Sequence, residues 1–299
     1  MKYTVLTLFP EITDAYFATS IMAKAIQRGI IEYQAINIRD FALDKHKTCD
    51  DAPYGGGPGM LMLPEPLSRA LEAAGVEQKK KEISPRRTRS FTEEEGIIVS
   101  ILRGTPCPPW LYSSKINAHG IRHPFRRVIY LSPSGRPFNQ ALAQELARER
   151  ELVLLCGRYE GIDQRVIDRY IDDEVSVGDY VLSSGEIAAL ALIDATYRLV
   201  DRVITPESLD EESFSGGLLE YPQYTRPEIF DTMKVPDILL SGHHENIRRW
   251  RLEKRIEKTL RCRPDLIQRG RELGLFNEEI NGIVDRIIGD SKHERNQGD

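Results

Sequence analysis

The chain has 299 residues and a net charge of −5, and 40% of its residues are hydrophobic. This length allows a larger and a smaller domain, each able to bury a core. The mean hydropathy is −0.39, and the absence of a long uncharged apolar run predicts no membrane span. The N-terminal MKYTVLTLFPE lacks the apolar core and cleavage site of a signal peptide.

The four cysteines are Cys49, Cys107, Cys156 and Cys262. They lie far apart and form no CxxC pair, so neither a zinc site nor a disulfide framework is expected. Cysteine usage therefore indicates reduced thiols and a cytoplasmic protein.

Predicted strands and helices alternate through the first two thirds of the chain. The early elements are a strand at Lys2–Leu8, a helix at Glu11–Arg28 that Gly29 ends, a strand at Ile31–Ile38, a glycine-rich loop at Thr48–Met62 and a helix at Pro66–Ala74. The later ones are strands at Val128–Leu131, Leu152–Cys156 and Glu174–Val177, a turn at Ser132–Gly135, and helices at Asn139–Arg150, Asp163–Tyr170 and Gly185–Leu199. This alternation predicts an α/β domain with a mostly parallel sheet.

Two stretches interrupt this pattern. Residues 76–125 are charged and contain prolines, with one predicted strand at Gly96–Leu102, and they are interpreted as a surface excursion. Residues 205–236 are polar and proline-containing, which predicts a linker. We therefore divide the chain into an α/β domain at 1–204, a linker at 205–236 and a helical domain at 237–299. The predicted helices of the last part are His244–Leu260, Asp265–Leu273 and Asn277–Ile288.

Charge is distributed unevenly. Residues 243–271 carry ten Lys and Arg against four Asp and Glu, which is +6, so the rest of the chain is near −11. A local basic segment of this kind is typical of a surface that contacts nucleic acid, although it is also common on a solvated helix face.

Three loops rich in Gly, Ser and Tyr each follow a short apolar strand. They span residues 130–136, 156–163 and 177–186. In an open α/β sheet, ligands bind at the carboxyl ends of parallel strands, so these loops predict a pocket for a flat heterocycle such as adenine. The alternative is three ordinary connections. The glycine-rich loop matches neither a Walker loop nor a dinucleotide fingerprint, and both a structural and a substrate-contacting role stay open for it.

Six segments then occur in a characteristic order. They are DDAPYGGGPGM from Asp50, YLSPSGRPFNQ from Tyr130, CGRYEGIDQRVID from Cys156, VGDYVLSSGEIAALALIDA from Val177, SFSGGLLEYPQYTRPEIF from Ser213 and LLSGHHENIRRWR from Leu239. Together they closely resemble the bacterial tRNA (guanine-N1)-methyltransferases of the SPOUT superfamily, over nearly the whole chain except about residues 76–125.

The resemblance implies a SPOUT-type α/β fold with a deep trefoil knot, and a homodimer whose active site lies between the subunits. It implies methyl transfer from S-adenosylmethionine to N1 of guanine 37 of tRNA, with magnesium as a possible further cofactor. The implied cofactor-binding residues are Tyr130, Leu131, Ser132, Pro133, Gly157, Tyr159, Glu160, Val177, Gly178, Asp179, Tyr180, Val181, Leu182 and Gly185. Core packing is the competing interpretation for Val177, Val181 and Leu182.

The chemistry needs a base that takes the proton from N1 and a cation or donor near O6. The family's base is an Asp directly before Ser-Phe, where this chain has Glu212. Asp210 and Glu211 are the alternatives. Arg198 matches the family's catalytic Arg, although an Arg at the end of a helix also interacts favourably with the helix dipole.

Three further assignments follow from the resemblance. Glu160 is the candidate magnesium contact. Ser184 stands where the family commonly has a second Gly, which leaves the local geometry of the pocket open. A basic stripe on one predicted helix face, formed by Arg248, Arg251, Arg255 and Lys258, becomes a candidate phosphate-contacting surface for tRNA.

Two other functions remain as alternatives at this point. One is a related knotted methyltransferase that acts on another RNA, against which the matched linker and C-terminal segment count. The other is a non-catalytic RNA-binding relative, which only the replacements at Glu212 and Ser184 favour.

Overall fold

The computed structural model describes residues 1–79, 126–205 and 212–296. The chain divides into two compact units, unit 1 at Met1–Val203 and unit 2 at Ile204–Asp299. Most of the predicted excursion, including Gly96–Leu102 and Cys107, lies outside the described residues. Within them, no helix is both long and apolar enough to cross a membrane.

Unit 1 is built on a five-stranded sheet. In chain order its strands are β1 (Lys2–Thr7), β2 (Glu32–Asn37), β5 (Arg126–Pro137), β6 (Glu151–Leu155) and β7 (Asp173–Ser176). Their order across the sheet is β2-β1-β6-β5-β7, and every pairing is parallel. The predicted parallel α/β sheet is therefore confirmed. The short strands β3 (Asp50–Asp51) and β4 (Leu61–Met62) pair antiparallel to each other.

Helices cover both faces of this sheet, which is why its strands read as continuous apolar runs. The helices are α1 (Pro10–Phe17), α2 (Ser20–Gln27), α3 (Pro64–Ala73), α4 (Gln140–Leu146), α5 (Gln164–Tyr170) and α6 (Gly185–Tyr197). Alternate strand residues point to opposite faces. Leu152 and Leu154 pack with Leu192 of α6 on one face, while Val153 and Leu155 pack with Leu67 of α3 on the other.

The single helix predicted at Glu11–Arg28 is wrong, because the chain forms α1 and α2 there instead. Thr19 is extended and Ser20 has a φ of +54°. The break lets Phe17 stack on Tyr33 with ring centroids 3.6 Å apart. The predicted end at Gly29 is confirmed, with φ +66° directly after the last turn of α2.

Other element boundaries also differ from the prediction, among them that of the last helix, predicted at Asn277–Ile288 and observed at Glu278–Asn296. The turn at Ser132–Gly135 lies within β5, because Leu131 and Arg136 both pair with Val175 around an irregularity in the register. The helix predicted at Asn139–Arg150 ends at Leu146. The extended β5 carries a wall of the site described below.

Unit 2 consists mainly of helices. They are α7 (Asp237–Leu240), α8 (His244–Cys262), α9 (Pro264–Glu272) and α10 (Glu278–Asn296), and a two-stranded hairpin, β8 (Ile229–Phe230) with β9 (Met233–Lys234), precedes them. Ile256, Ile267 and Val284 from the three long helices form a core that also buries Leu218. A residue of the predicted linker thus contributes to the core of unit 2.

Candidate cofactor cleft and catalytic segment

A cleft lies in unit 1 at the carboxyl ends of β6 and β7 and beside the middle of β5. Its lining comes from the middle of β5, the loop after β6 and the segment between β7 and α6. The lining residues are Tyr130, Leu131, Ser132, Pro133, Gly157, Arg158, Tyr159, Glu160, Gly161, Val175, Ser176, Val177, Gly178, Tyr180, Val181, Leu182, Ser183, Ser184, Gly185 and Ala188. Apart from Asp179, every residue predicted to bind the cofactor lies on this surface.

Close backbone approach shapes the floor of the cleft. The amide of Gly185 donates a hydrogen bond to the carbonyl of Gly157 at 2.8 Å. A Cβ on Gly157 would lie 2.8 Å from the ring of Tyr130, and a Cβ on Gly185 would lie 2.8 Å from the amide nitrogen of Gly157. Both glycines are therefore required by lack of space, since neither has a positive φ.

Apolar side chains stand uncovered at the rim. Tyr180 is 56% exposed, Val181 88% and Leu182 37%. Core packing is therefore the wrong interpretation for Val181 and Leu182, whereas Val177 does pack partly against the core. An apolar rim of this kind is typical of a surface that a ligand covers.

The lining of the cleft also includes Tyr130, which is 7% exposed. Burial, reinforced by the negative charge of Glu174, raises the pKa of Tyr130 to about 12, and a hydrogen bond with the backbone of Ile162 offsets part of this shift. The hydroxyl of Tyr130 is therefore protonated near neutral pH and remains able to donate a hydrogen bond into its surroundings.

Glu160 is the carboxylate on the cleft wall and joins it to the glycine-rich loop. Its amide donates to the carbonyl of Met60 at 3.0 Å, and a Cβ on Gly59 would lie 2.4 Å from Glu160 Cγ. The loop closes the hairpin between β3 and β4, and Tyr54 at its tip is fully exposed. Among the described residues, no group of three or more His, Cys, Asp or Glu side chains could hold a metal ion.

Sequence reasoning missed a buried carboxylate beneath the cleft. Glu186, in the first turn of α6, is 1% exposed. Its Oε1 accepts a hydrogen bond from Thr7 Oγ1 at 2.5 Å, and its Oε2 has no partner. Burial, together with the charge of Glu186, raises the pKa of the Cys156 thiol well above its usual value. The only signal in the sequence was an acidic residue in the first turn of a mostly apolar helix.

Ser184, the departure from the family pattern, directly precedes α6. Its φ is −163° and its ψ is 155°, which is extended backbone that any residue adopts. It forms an isolated bridge with Arg158 and makes no side-chain capping bond. A glycine is therefore not required at this position.

Arg198 follows the last residue of α6, at the opposite end of the helix from the cleft. It lies ten positions after Ala188, which corresponds to about 15 Å along the helix axis. Arg198 consequently does not line the cleft of its own chain.

Glu212 lies in unit 2, at the start of a compact turn. Its carbonyl accepts a hydrogen bond from the amide of Ser215 at 3.1 Å, and its side chain is half-buried. The alternative bases Asp210 and Glu211 lie outside the described residues.

The four predicted phosphate contacts all lie on α8 but differ in their partners. Arg248 pairs with Glu245 at 2.8 Å and with Glu279 at 3.0 Å. Arg251 lies 4.8 Å from the ring centroid of Tyr221. Arg255 donates to two backbone carbonyls. Lys258 is half-buried and has no ion pair with a described residue.

Comparison with known proteins gives one consistent result. A family model described as tRNA (Guanine-1)-methyltransferase TrmD matches residues 1–96 and 113–269. A Treponema denticola protein named tRNA (guanine-N(1)-)-methyltransferase is 54% identical over 284 residues, which cover 95% of this chain and 98% of that one. Proteins of the same name from Treponema pallidum and Borreliella burgdorferi are each 50% identical, over 96% and 89% of this chain and 96% and 92% of their own lengths. The chain therefore belongs to the tRNA (guanine-N1)-methyltransferase family.

Proposed function

We propose that this protein transfers a methyl group from S-adenosylmethionine to N1 of guanine 37 in tRNA. The observation that carries the proposal is the cleft at the carboxyl ends of β6 and β7 and beside the middle of β5, formed by the segments that also carry the family resemblance. The substrate and the cofactor come from the relatives' names and from that resemblance. The proposed tRNA substrate also supports a cytoplasmic location.

The residues of the cleft fit this cofactor. Leu131, Pro133 and Val177 offer apolar walls, and the exposed rim of Tyr180–Leu182 offers apolar surface that a flat heterocycle would bury. The glycines of the floor bring the backbone close to the ligand, where main-chain groups can form hydrogen bonds with adenine. Bound S-adenosylmethionine supplies a methyl group that its sulfonium has already activated.

The protein's own residues then have two tasks. Glu212 would accept the proton of N1, and the electron pair of the broken N–H bond would stay on the nitrogen, which makes it the nucleophile for the activated methyl group. Arg198 stabilises the negative charge that spreads to O6 of the guanine. Asp210→Ala tests the alternative base.

A homodimer accounts for the place of Arg198. Because this residue lies about 15 Å along α6 from the cleft of its own chain, it can assist the chemistry only at another chain's cleft. We also propose the family's trefoil knot for unit 1. The match to the family model over residues 1–96 and 113–269 supports it.

Magnesium fits only as an ion that is shared with the substrate. Glu160 provides one carboxylate on the cleft wall, and Mg²⁺ commonly takes one or two protein carboxylates together with waters and substrate oxygens. There it would supply positive charge beside the transferred group. A Glu160→Gln variant that keeps the wild-type dependence on magnesium would contradict this role.

A methyl-transfer assay tests the function. Purified protein is given radiolabelled S-adenosylmethionine and tRNA transcripts that carry guanine or adenine at position 37. We expect label in the first transcript only, located at N1 of that guanine. Equal labelling of both transcripts would indicate another RNA site, and the absence of transfer despite cofactor binding would indicate a non-catalytic RNA-binding protein.

Glu212→Gln tests the assignment of the base. It removes the proton acceptor and keeps the size of the side chain. Turnover should fall by about a hundredfold or more, within the range that general-base catalysis contributes, while cofactor affinity measured by calorimetry stays unchanged. Full activity in Glu212→Gln with loss in Asp210→Ala would move the role to Asp210.

A further inference from the structure

The segment Glu212–Glu220, here called the base segment, is folded by its own hydrogen bonds. The amide of Phe214 donates to the carbonyl of Leu218 at 2.7 Å, and the amide of Glu220 donates to Ser213 Oγ at 3.1 Å. Phe214 has a φ of +73° in this turn. The backbone of Glu212 is tied into the same turn through the amide of Ser215.

One face of α8 holds the base segment from outside. Arg255 Nη2 donates to the carbonyl of Ser215 at 3.0 Å, and Arg255 Nε donates to the carbonyl of Leu219 at 3.3 Å. Thr259 Oγ1 accepts from the amide of Leu219 at 2.9 Å. The hydroxyl of Thr259 donates in turn to the carbonyl of Arg255 at 2.7 Å. Two side chains one helical turn apart therefore fix both ends of the turn.

Apolar packing reinforces these bonds. Leu218 is 1% exposed and lies among Ile256 of α8, Ile267 of α9 and Val284 of α10. Thr259 is fully buried, so breaking its bond to the amide of Leu219 would leave a buried polar group without a partner. The base segment thus has one favoured position relative to the helices of unit 2.

We propose that Arg255 and Thr259 are positioning residues for the carboxylate of Glu212, and that Arg255 does not contact a tRNA phosphate. This inference rests on the proposed function, because it takes Glu212 as the base. Two N–H groups of the Arg255 guanidinium already donate hydrogen bonds to the carbonyls of Ser215 and Leu219. Because a shift of about 1 Å in a catalytic group can cost roughly a hundredfold in rate, loosening this hold reduces turnover.

The test uses full-length Arg255→Lys and Thr259→Val in the methyl-transfer assay. Lysine keeps the positive charge but replaces the fork-shaped guanidinium with a single point of charge. Valine keeps the branched shape of Thr259 without its hydroxyl. We expect kcat to fall about tenfold to a hundredfold for each, with wild-type affinities for S-adenosylmethionine and tRNA. Thr259→Ser, which restores the hydroxyl, should recover most of the lost kcat.

Salt dependence separates positioning from phosphate contact. Each lost phosphate contact flattens the plot of log affinity for RNA against log salt by roughly 0.7 to 0.9. Lys258→Gln should weaken tRNA binding and flatten this plot, whereas Arg255→Lys and Arg255→Gln should leave its slope unchanged. Arg269→Lys, at an exposed position of α9, is the control for an arginine replacement in unit 2.

Two results would overturn the inference. One is wild-type kcat in both Arg255→Lys and Thr259→Val. The other is a flattened salt dependence in Arg255→Gln that matches Lys258→Gln. If Thr259→Val unfolds, Arg255→Lys decides alone, with its melting temperature as a check on folding. Failure of the proposed function is recognised separately, because the wild-type protein would then not methylate tRNA.

Discussion

The amide of Gly185 lies 2.8 Å from the carbonyl oxygen of Gly157, so the start of α6 rests directly on the loop after β6. Backbone packs on backbone here, and neither partner can rotate away as a side chain could. A Cβ at Gly185 would also lie 2.9 Å from the Cα of Cys156. The geometry of the cleft floor therefore depends on the absence of a side chain at this position.

Gly185→Ala should weaken S-adenosylmethionine binding about tenfold or more, because the added Cβ pushes apart the backbone segments that form the cleft floor. Overpacking of this kind costs about 1–3 kcal/mol, and a loss of 1.4 kcal/mol in binding free energy is a factor of ten in affinity. Calorimetry on the purified variant measures this directly. Gly282→Ala is the control, since an added Cβ at this position of α10 meets nothing within 4 Å. It should raise stability by about 0.5–1 kcal/mol without affecting the cofactor. Equal cofactor affinity in the two variants would contradict the prediction.

Ser184→Gly restores the residue that is common in the family and should leave cofactor affinity unchanged. The backbone of Ser184 is extended and its side chain makes no capping bond, so glycine removes no specific contact. Thermal stability should drop by a few tenths of a kcal/mol, as for other exchanges of Ser to Gly before a helix. Clearly tighter cofactor binding would show instead that the serine hydroxymethyl group narrows the cleft.

The sequence predicted the sheet well because each central strand is a short apolar run that helices cover on both sides. It missed the break between α1 and α2, where Ala18, Thr19 and Ser20 include neither glycine nor proline. The tertiary stacking of Phe17 on Tyr33 accompanies that break. Local periodicity carries no information about such a contact.

For the site as well, local motifs predicted the location, whereas roles that depend on contacts between distant parts of the chain could not be predicted. The ordered motifs identified the loops that line the cleft. The rule that ligands bind at the carboxyl ends of parallel strands predicted that these loops would lie together. The role of Arg255 could not be read from its place in a basic stripe, because its partners, the carbonyls of Ser215 and Leu219, lie 40 and 36 residues away in the chain. The burial of Glu186 could not be predicted from the sequence either, because its partner Thr7 lies 179 residues away in the chain.

Thr7→Val should destabilise the protein by about 1–3 kcal/mol, the cost of leaving a buried acceptor without its partner. Oε2 of Glu186 already lacks a bond, so the variant would leave both carboxylate oxygens unpaired. The shift of the denaturation midpoint measures the effect. The amide of Phe9 also donates to Thr7 Oγ1 at 2.9 Å. In a double-mutant cycle with Glu186→Leu, Thr7→Val should therefore cost less than it does alone, with the loss of the bond from Phe9 as the remainder. Additive effects would show that the two side chains do not depend on each other.

Glu151, the first residue of β6, makes the free energy of unfolding depend on pH in the acid range. Its Oε1 lies 3.0 Å from Lys2 Nζ and its Oε2 lies 2.5 Å from Arg126 Nε. Burial by itself disfavours the charged carboxylate, but the hydrogen bonds from Lys2 and Arg126 outweigh it and hold the pKa of Glu151 below its ordinary value of 4.5. A carboxyl with a lowered folded-state pKa contributes stability that is present above the unfolded-state pKa. That contribution disappears as pH falls through the folded-state value.

Glu151→Gln should therefore lower the melting temperature by a constant amount near neutral pH, and its difference from the wild type should shrink as pH falls below 4.5. Melting curves from pH 7 down to about pH 3 measure this difference. Glu11→Gln, at an exposed position of α1, is the control and should show a small difference at every pH. A gap between Glu151→Gln and the wild type that widens in acid would mean that the folded state favours the protonated carboxyl, so that burial rather than the two cations governs this group.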